Sequence, residues 1–204
     1  TFGTLVQLTA TVSPTGTPLP FGASTVSFYD GSTLLGTQPL NTTTRQAILT
    51  TVSLSGGVHN NITAVYSGDG SNYVGSTSSP QSITINPRAT TTTLTAAPAT
   101  GVVGAPVTLK ATIIGVGSTA QMANPAGTVT FNDGSTVLGT ATLNSSGQGI
   151  LTVPSLSNGP HQLTVVFNPS NGNYSTSQGA LNYVVKKVIN QPYYAIAPGQ
   201  GSTL

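Results

Sequence analysis

The stretch TVSFYDGSTLLGT, Thr25–Thr37, returns as TVTFNDGSTVLGT at Thr128–Thr140. Ten of the thirteen residues are identical, and the two copies lie 103 positions apart. A match of this length indicates one structural unit built twice, because each copy must keep the residues that its fold requires. The chain of 204 residues is therefore predicted to contain two tandem modules, each large enough to bury a modest hydrophobic core.

The pattern around the repeated stretch is that of short β-strands. Val26 and Phe28 alternate with polar residues before an Asp-Gly pair, and Val129 and Phe131 do the same. Asp-Gly is a strong hairpin signal because both residues tolerate positive φ. Other alternating runs also match between the modules: Leu8, Ala10 and Val12 with Leu109, Ala111 and Ile113, and Ile62, Ala64 and Tyr66 with Leu163, Val165 and Phe167. No window of eleven or more residues has helical periodicity.

Seven or so alternating strands per module predict an all-β fold, namely two tandem immunoglobulin-like β-sandwiches joined by a short linker. The expected boundaries are residues 1–86 for the first sandwich, 87–188 for the second and 189–204 for a C-terminal tail. The join, Ile85-Asn86-Pro87-Arg88-Ala89, is short and contains a proline. Such a link restricts hinge motion between the modules and favours a semi-rigid rod.

One set of residues carries a specific resemblance. It comprises Gly127–Gln148, Leu151, Leu156, Gly159, His161 and Asn173-Tyr174. In this order and spacing the chain resembles bacterial Ig-like repeats of the Big_3_5 type, and the resemblance covers most of the chain. It implies non-catalytic spacer modules of secreted or cell-surface bacterial proteins, often adhesins. It brings no functional residues to any position of this sequence.

The composition excludes several classes of function. Charged residues make up 4% of the chain, and its five Lys and Arg residues form no cluster of the kind that displaces counterions from nucleic acid. No segment is apolar enough for insertion into a membrane. Cysteine is absent, so no disulfide framework supports the fold. A surface of Thr, Ser, Asn and Gly predicts an extracellular or cell-surface location.

The two modules differ at their first strand. The second module opens with a strand-like run, Thr90–Ala96, before Pro98, but nothing precedes Thr1-Phe2-Gly3-Thr4-Leu5-Val6, which matches the part that follows. The first module is therefore predicted to have an unpaired sheet edge, because its own first strand is missing. The candidate acceptor residues on that edge are Val6, Leu8 and Ala10.

The tail supplies a candidate for the missing strand. Setting Pro198 on Pro98 brings residues 189–204 to the position of a first strand, with Tyr193, Tyr194, Ile196 and Pro198 as candidate donor residues. Donated to the next molecule by β-strand addition, this tail would build head-to-tail filaments. The tail also fits the start of a third module in a longer array. The sequence leaves both explanations open, and both predict an extended extracellular fibre or stalk.

Few residues are candidates for a catalytic or metal-binding site. His59 and His161 are equivalent and are interpreted as structural residues at strand ends, because each module lacks the further ligands that a metal needs. Asp30 and Asp133 are assigned to the conformation of their Asp-Gly turns. Asp69 alone makes a poor Ca²⁺ site. We expect no enzymatic activity, no cofactor and no metal.

Two further hypotheses complete the interpretation. Lys110 falls on the outward side of its strand and is a weak candidate for a covalent Lys–Asn link. The rival function is an adhesin module that binds a glycan or a protein through its loops, for which Tyr29, Tyr193 and Tyr194 are the aromatic residues expected to be exposed. The expected partners are copies of the chain or neighbouring Ig-like repeats.

Overall fold

A computed structural model describes residues 1–14, 20–118 and 122–189. Every regular element in these ranges is a β-strand, as the alternation predicts. The first module comprises β1 Val6–Thr11, β2 Thr25–Asp30, β3 Thr33–Pro39, β4 Gln46–Thr51, β5 Gly57–Tyr66, β6 Ser76–Thr77 and β7 Gln81–Ile85. The second comprises β8 Thr90–Ala97, β9 Gly101–Val102, β10 Val107–Gly115, β11 Gly127–Asp133, β12 Thr136–Thr142, β13 Gln148–Val153, β14 Gly159–Pro169 and β15 Ser177–Lys186.

The second module is a two-sheet sandwich. One sheet has the order β13-β10-β8, and the other has the order β12-β11-β14-β15-β9. All pairings are antiparallel except that of β15 with β9. Inward side chains of both sheets form one core, in which Leu109, Phe131 and Phe167 are fully buried. This is the immunoglobulin-like arrangement that the strand count predicts.

The first module repeats this plan with fewer strands. Its larger sheet has the order β3-β2-β5-β6, with β7 also paired to β5, and its smaller sheet contains only β1 and β4. The equivalences predicted from the sequence hold: Val26 pairs with Tyr66 as Val129 pairs with Phe167. Within the described residues, however, the first module contains no counterpart of β8 or of β9.

A joint of defined contacts connects the modules. Phe2 packs against the apolar clusters of both sandwiches, and its ring meets Tyr174 edge-on with centroids 5.5 Å apart. Arg88, in the linker, donates from Nε to the Phe2 carbonyl over 2.9 Å and from Nη1 to the Val116 carbonyl over 2.8 Å. The sequence predicts restriction by Pro87, but it does not reveal this hydrogen-bonded joint.

Two glycines bring the backbones of the modules into direct contact. A Cβ added to Gly56 would lie 2.0 Å from the Gly172 carbonyl oxygen, so no side chain fits there. The Gly56 N–H donates to Asn173 Oδ1 over 2.8 Å. A departure of the first module from the repeat pattern, its Gly56-Gly57 turn, is thus part of the contact with the second module.

A candidate strand-accepting groove in the first module

The first module has an unpaired strand edge on its smaller sheet. In the second module β10 lies between β13 and β8, so both of its edges are hydrogen-bonded. Its counterpart β1 pairs with β4 in the same register, and no other described strand pairs with it. Within the described part of the chain, β1 therefore has one edge paired with β4 and one edge without a strand partner.

The side chains of β1 are more exposed than the equivalent side chains of β10. Leu109 and Ala111 of β10 have no exposed surface, and Val107 is 1% exposed. Their counterparts Leu8 and Ala10 are only half-buried. Because the residue types are the same, the difference arises from the neighbours: in the second module β8 covers this part of the core and contributes the buried Leu94.

A groove of about 420 Å³ opens at this edge. One wall is the β1 strand with the residues that follow it, and the other wall comes from the larger sheet. The lining residues are Gln7–Ser13, Val26, Phe28, Ile62–Ala64, Tyr66, Ser76–Ser79 and Gln81. Of the three predicted acceptor residues, Leu8 and Ala10 line the groove. Val6 does not, since it packs with the apolar cluster around Leu54 and Ile85.

Tyr66 distinguishes this groove from the corresponding core of the second module. Its side chain lines the groove, and its hydroxyl is buried without a hydrogen-bond partner among the described residues. The equivalent residue is Phe167, which carries no polar atom. A buried hydroxyl without a partner is costly, so an occupant that supplies a hydrogen bond would be favoured here. Sequence reasoning missed the residues of the larger sheet, although their apolar alternation was visible.

Within the described residues, the larger sheet of the first module has no counterpart of the short strand β9, although the Phe2 N–H donates to the Asn86 carbonyl just beyond β7. In the second module β15 accepts the short parallel strand β9 through the pairs Val185–Gly101 and Lys186–Val102. In the first module β7 pairs with β5, and no other described strand pairs with it. The candidate donor residues Tyr193, Tyr194, Ile196 and Pro198 lie outside the described residues.

The two histidines occupy equivalent positions and make the same contacts. His59 Nδ1 lies 2.7 Å from Asp30 Oδ2, and His161 Nδ1 lies 2.6 Å from Asp133 Oδ2. In both modules Nε2 faces a backbone carbonyl at 2.9 Å, that of Ser55 or Ser157. Each histidine therefore ties the end of a β-strand to a hairpin and to the preceding loop.

These contacts require a correction for the aspartates. Asp30 and Asp133 are predicted to serve turn conformation alone, but only the glycines of the two turns have positive φ, +59° at Gly31 and +56° at Gly134. The aspartates instead direct their carboxylates across the sheet to the histidines. The Asp-Gly pair predicts a turn, but it cannot predict that the aspartate binds a histidine some thirty positions away.

The histidine pKa values follow from these neighbours. For His161, burial opposes protonation, but the Ser157 carbonyl and the Asp133 carboxylate outweigh it and raise the pKa. For His59, the Ser55 carbonyl is the main cause of a raised pKa, with Asp30 acting in the same direction against burial. A protonated ring donates to both acceptors, as expected of a structural tie.

Asp69 does not form a cation site. Its Oδ2 accepts the Gly22 N–H over 3.0 Å, and its Oδ1 accepts the N–H groups of Ser71, Asn72 and Tyr73 over 2.8–3.1 Å. The hydrogen bond from Gly22, followed by that from Tyr73, holds the pKa of this carboxyl well below its usual range. Donors surround the carboxylate, so it organises a loop. In the described ranges, no three His, Asp or Glu side chains cluster as metal ligands would.

Two further residues singled out in the sequence, Lys110 and Tyr29, lie on strands of the two sandwiches. Lys110 is exposed between Thr95 and Ile150 of the neighbouring strands. Tyr29, expected to be exposed, is half-buried because β2 is a central strand that places Leu34 and Thr63 beside it.

Phe21 and Tyr73 stack with ring centroids 4.5 Å apart at one end of the first sandwich. Both rings pack against its core and are half-buried. The aromatic pair therefore closes the end of the sandwich and does not present a free platform. No helix in the described ranges could cross a bilayer.

The sheet order and core define a tandem pair of immunoglobulin-like sandwiches. The family model of the bacterial Ig-like domain (group 3) matches residues 1–86 and again residues 94–186. The chain belongs to this family, as the resemblance predicts. A search of curated proteins found no match.

Several solved structures resemble the fold. A 1.5-MDa bacterial ice-binding adhesin is 14% identical over 91% of this chain and 59% of its own, with a TM-score of 0.35. A Ca²⁺-stabilized adhesin with which an Antarctic bacterium binds ice is 16% identical over 91% and 45%, with a TM-score of 0.37. The N-terminal domains of the outer capsid protein Hoc of bacteriophage RB49 are 17% identical over 90% and 55%, with a TM-score of 0.35. The chain thus spans about half of each, and we infer no function from these likenesses.

Proposed function

We propose that the protein is a non-catalytic structural module of an extended extracellular fibre or stalk. In this proposal the C-terminal tail, residues 189–204, of one copy fills the groove of the first module of the next. The observation that carries the proposal is the unpaired β1 edge beside a groove of about 420 Å³. In the second module of the same chain, β8 covers the equivalent position.

Alignment of the tail with the first strand of the second module supplies a register for this proposal. With Pro198 on Pro98, Tyr194 takes the position of the buried Leu94 and Ile196 that of Ala96. In the second module Leu94 pairs with Ala111, and Ala96 pairs with Leu109. Transferred to the first module, Tyr194 would lie opposite Ala10, and Ile196 opposite Leu8. The two large donor side chains would cover Leu8 and Ala10, which are half-buried and line the groove.

Two kinds of interaction would stabilise the contact. The β1 edge offers backbone N–H and C=O groups without a strand partner in the described chain, and an added strand satisfies them. Burial of two large side chains in the groove contributes about 1.5–3 kcal/mol each. The buried Tyr66 hydroxyl is available for a hydrogen bond with the occupant.

The contact has a direction, since the donor is a tail and the acceptor is a groove. Such a heterologous contact does not saturate in a dimer; it continues head-to-tail. The second module and the hydrogen-bonded joint at Arg88 would then act as the spacer within each repeat. An extracellular location is supported by family membership and by a chain with 4% charged residues and no cysteine.

The test compares the full chain with a variant that lacks residues 190–204, by sedimentation velocity and electron microscopy over a range of concentrations. We expect concentration-dependent linear oligomers from the full chain and monomers from the truncated one. Two matched variants separate inward from outward tail positions. The inward variant Y194S/I196S should lose assembly, whereas the outward variant Y193S/A195S should retain it.

Three results would overturn donation of the tail between copies. If the full chain stays monomeric at all concentrations, the tail does not act in trans. If oligomers persist without the tail, they form elsewhere. If the groove is filled only when a preceding segment of a longer array is supplied, the chain is one part of a stalk. A loop-binding adhesin module would instead bind glycan or protein ligands whether or not the groove is filled.

A further inference from the structure

We infer that consecutive copies also touch end to end, through a surface on the second module of one copy and a loop on the first module of the next. The exit surface comprises Val103 and residues 187–189, and the entry loop comprises residues 72–74. This inference rests on the proposed function, because donation of the tail decides which two ends meet. The partner that it specifies is a second copy of the chain.

The chain between the second module and its tail is too short to keep the two copies apart. The last strand, β15, ends at Lys186, and the proposed register begins with residue 190 in the place of Thr90. Four steps of an extended chain span at most about 14 Å. In the second module, Thr90 pairs with Gly115, the last residue of β10. A tail that fills the groove therefore brings the end of β15 close to the corresponding end of the first module.

The joint within the chain shows how a linker meets such a loop. The Arg88 N–H donates to the Asn173 carbonyl over 2.9 Å, and the Arg88 carbonyl accepts the Ser175 N–H over 2.9 Å. These two hydrogen bonds form a parallel bridge between Arg88 and Tyr174 just before β8 begins. Beside this bridge, Phe2 of the first module packs against Tyr174. The linker, the end of one module and the loop of the next therefore form one contact.

Val103 takes the place of Phe2 at the end of the second module. The Phe2 N–H donates to the Asn86 carbonyl, just as the Val103 N–H donates to the Lys186 carbonyl. Each of the two donor residues is followed by a glycine with positive φ, +76° and +80°. Phe2 is half-buried in the joint, whereas 43% of Val103 is exposed. The second module thus carries an exposed apolar side chain at the position where the first module makes its end contact.

Val188 takes the place of Arg88 in the same way. Asn86 and Lys186 occupy equivalent positions, and Arg88 and Val188 each follow two residues later. Val188 is 61% exposed. A bridge between backbones uses the N–H and C=O groups that every residue except proline carries, so residue 188 can bridge to a loop as Arg88 does. Its apolar side chain extends the exit surface beside Val103.

The entry loop is the counterpart of residues 173–175, because equivalent strand pairs enclose both loops at the same spacing: Tyr66 with Ser76, and Phe167 with Ser177. Val74 is 89% exposed, and its N–H has no hydrogen-bond partner among the described residues. The Val188 carbonyl of the preceding copy would supply that partner. The contact would also remove apolar surface of Val74, Val103 and Val188 from water.

The contact between copies lacks two features that fix the joint within the chain. Val188 has no guanidinium with which to repeat the hydrogen bonds of Arg88 to the Phe2 and Val116 carbonyls. The close backbone contact of the two joint glycines cannot form either, since the equivalent residues carry side chains: Asn158 in place of Gly56, and Ser71 in place of Gly172. The contact between copies is therefore looser than the joint within a copy.

Paired cysteines test the end contact, because the natural chain has no cysteine. The test variant is Val188→Cys with Val74→Cys, and the control is Val188→Cys with Val58→Cys. Val58 is also exposed, at 61%, but it lies at the start of β5, whereas Val74 follows the end of β5 at the other end of the sandwich. Both variants are assembled and treated with a short bifunctional maleimide. We expect covalent ladders from the test variant and none from the control.

A charge substitution provides a second measurement. Val188→Asp would place a carboxylate within an apolar contact, so it should raise the concentration at half-assembly about tenfold in sedimentation velocity. Ile150→Asp makes the same change on the outward face of β13, where 53% of Ile150 is exposed, and should leave assembly unchanged. Neither substitution removes a buried side chain, and thermal melting checks that both variants fold.

Ladders from the test pair alone, with assembly impaired only by Val188→Asp, would support the end contact. If assembled material gives no test ladders and Val188→Asp is harmless, the end contact is overturned and donation of the tail remains. Ladders from the control pair would place the exit surface elsewhere on the neighbouring copy and would also overturn the inference. A parent chain that stays monomeric would overturn the proposed function together with the end contact.

Discussion

The two His–Asp pairs are contacts between single residues that the repeat preserves in both modules. In the second module, His161 lies between the Asp133 carboxylate and the Ser157 carbonyl, and 5% of its side chain is exposed. Both ring nitrogens face acceptors, so the doubly protonated ring satisfies both contacts and the neutral ring satisfies only one. The pair therefore links the stability of the module to pH.

The sign of this dependence follows from the raised pKa of His161. A group whose pKa is higher in the folded state stabilises most when it is protonated in both states. Its contribution is thus fully present below the unfolded pKa of about 6.5 and is lost as the pH rises through the higher folded pKa. We expect His161→Gln to cost more stability at pH 5.5 than at pH 8.5, by about 1 kcal/mol. Denaturant unfolding of the natural protein and the variant at the two pH values measures this difference. An equal loss of stability at both pH values would contradict the prediction.

The close approach at Gly101 makes a prediction within the second module. Gly101→Ala places a methyl group 2.8 Å from Val185 Cγ2, so the strand or the core must shift. We expect a loss of about 1–3 kcal/mol in the free energy of unfolding, typical of overpacking. Thr100→Ala, in the exposed connection beside it, serves as the control and should change stability by less than about 0.5 kcal/mol. Equal effects of the two substitutions would show that no steric condition exists here.

Among the strands, β1 and β10 differ in their neighbours more than in their sequences. β10 is a central strand, whereas β1 has one partner in the described chain. The amide protons of β1 that point away from β4 should therefore exchange rapidly in a variant that lacks residues 190–204. A synthetic peptide of residues 190–204 should slow their exchange and leave the amides of β10 unchanged. Hydrogen exchange read by NMR distinguishes the two strands, and slow exchange without peptide would mean that the edge is already covered.

A neighbouring strand for β1 can also be supplied within the same molecule. Residues 190–201 inserted directly before Thr1 would continue into β1 with the spacing by which β9 precedes β10. We expect this graft to raise the melting temperature of the first module by several degrees, since each 1 kcal/mol is worth about 4–8 °C in a domain of this size. It should also abolish assembly. The same graft with Y194S/I196S is the matched control, and equal melting temperatures would argue against an apolar fit.

At the scale of the whole molecule, the joint determines whether the modules act as one spacer. Gly56 and Gly172 touch through their backbones, and Arg88 connects the linker to both sides. Gly56→Val would force this contact apart, while Ser55→Ala, beside it on the exposed surface, would not. We expect broader inter-module orientations for Gly56→Val alone, measured by residual dipolar couplings. Unchanged couplings would mean that Pro87 restricts the modules by itself.

Much of this architecture was predictable because it is local and repeated. The alternation of Val26 and Phe28, the Asp-Gly turns and their recurrence predict the strands, the two sandwiches and the family. The single strand partner of β1 was also predictable, because its counterpart β10 is preceded in the sequence by a further strand-like run. Residues of the opposite groove wall, such as Tyr66, were not predicted from the sequence. Periodicity indicates which side chains point inward, but it does not indicate which of these line an open groove.

The sequence by itself determined the class and the repeat, because both follow from patterns a few residues long compared between two copies. Only the tertiary structure decided which residues meet across the sheets. It paired Asp30 with His59, surrounded the Asp69 carboxylate with backbone N–H groups, placed Arg88 in the joint and brought residues of both sheets around one groove. Such contacts depend on where distant strands come together in space, and no local pattern encodes that distance.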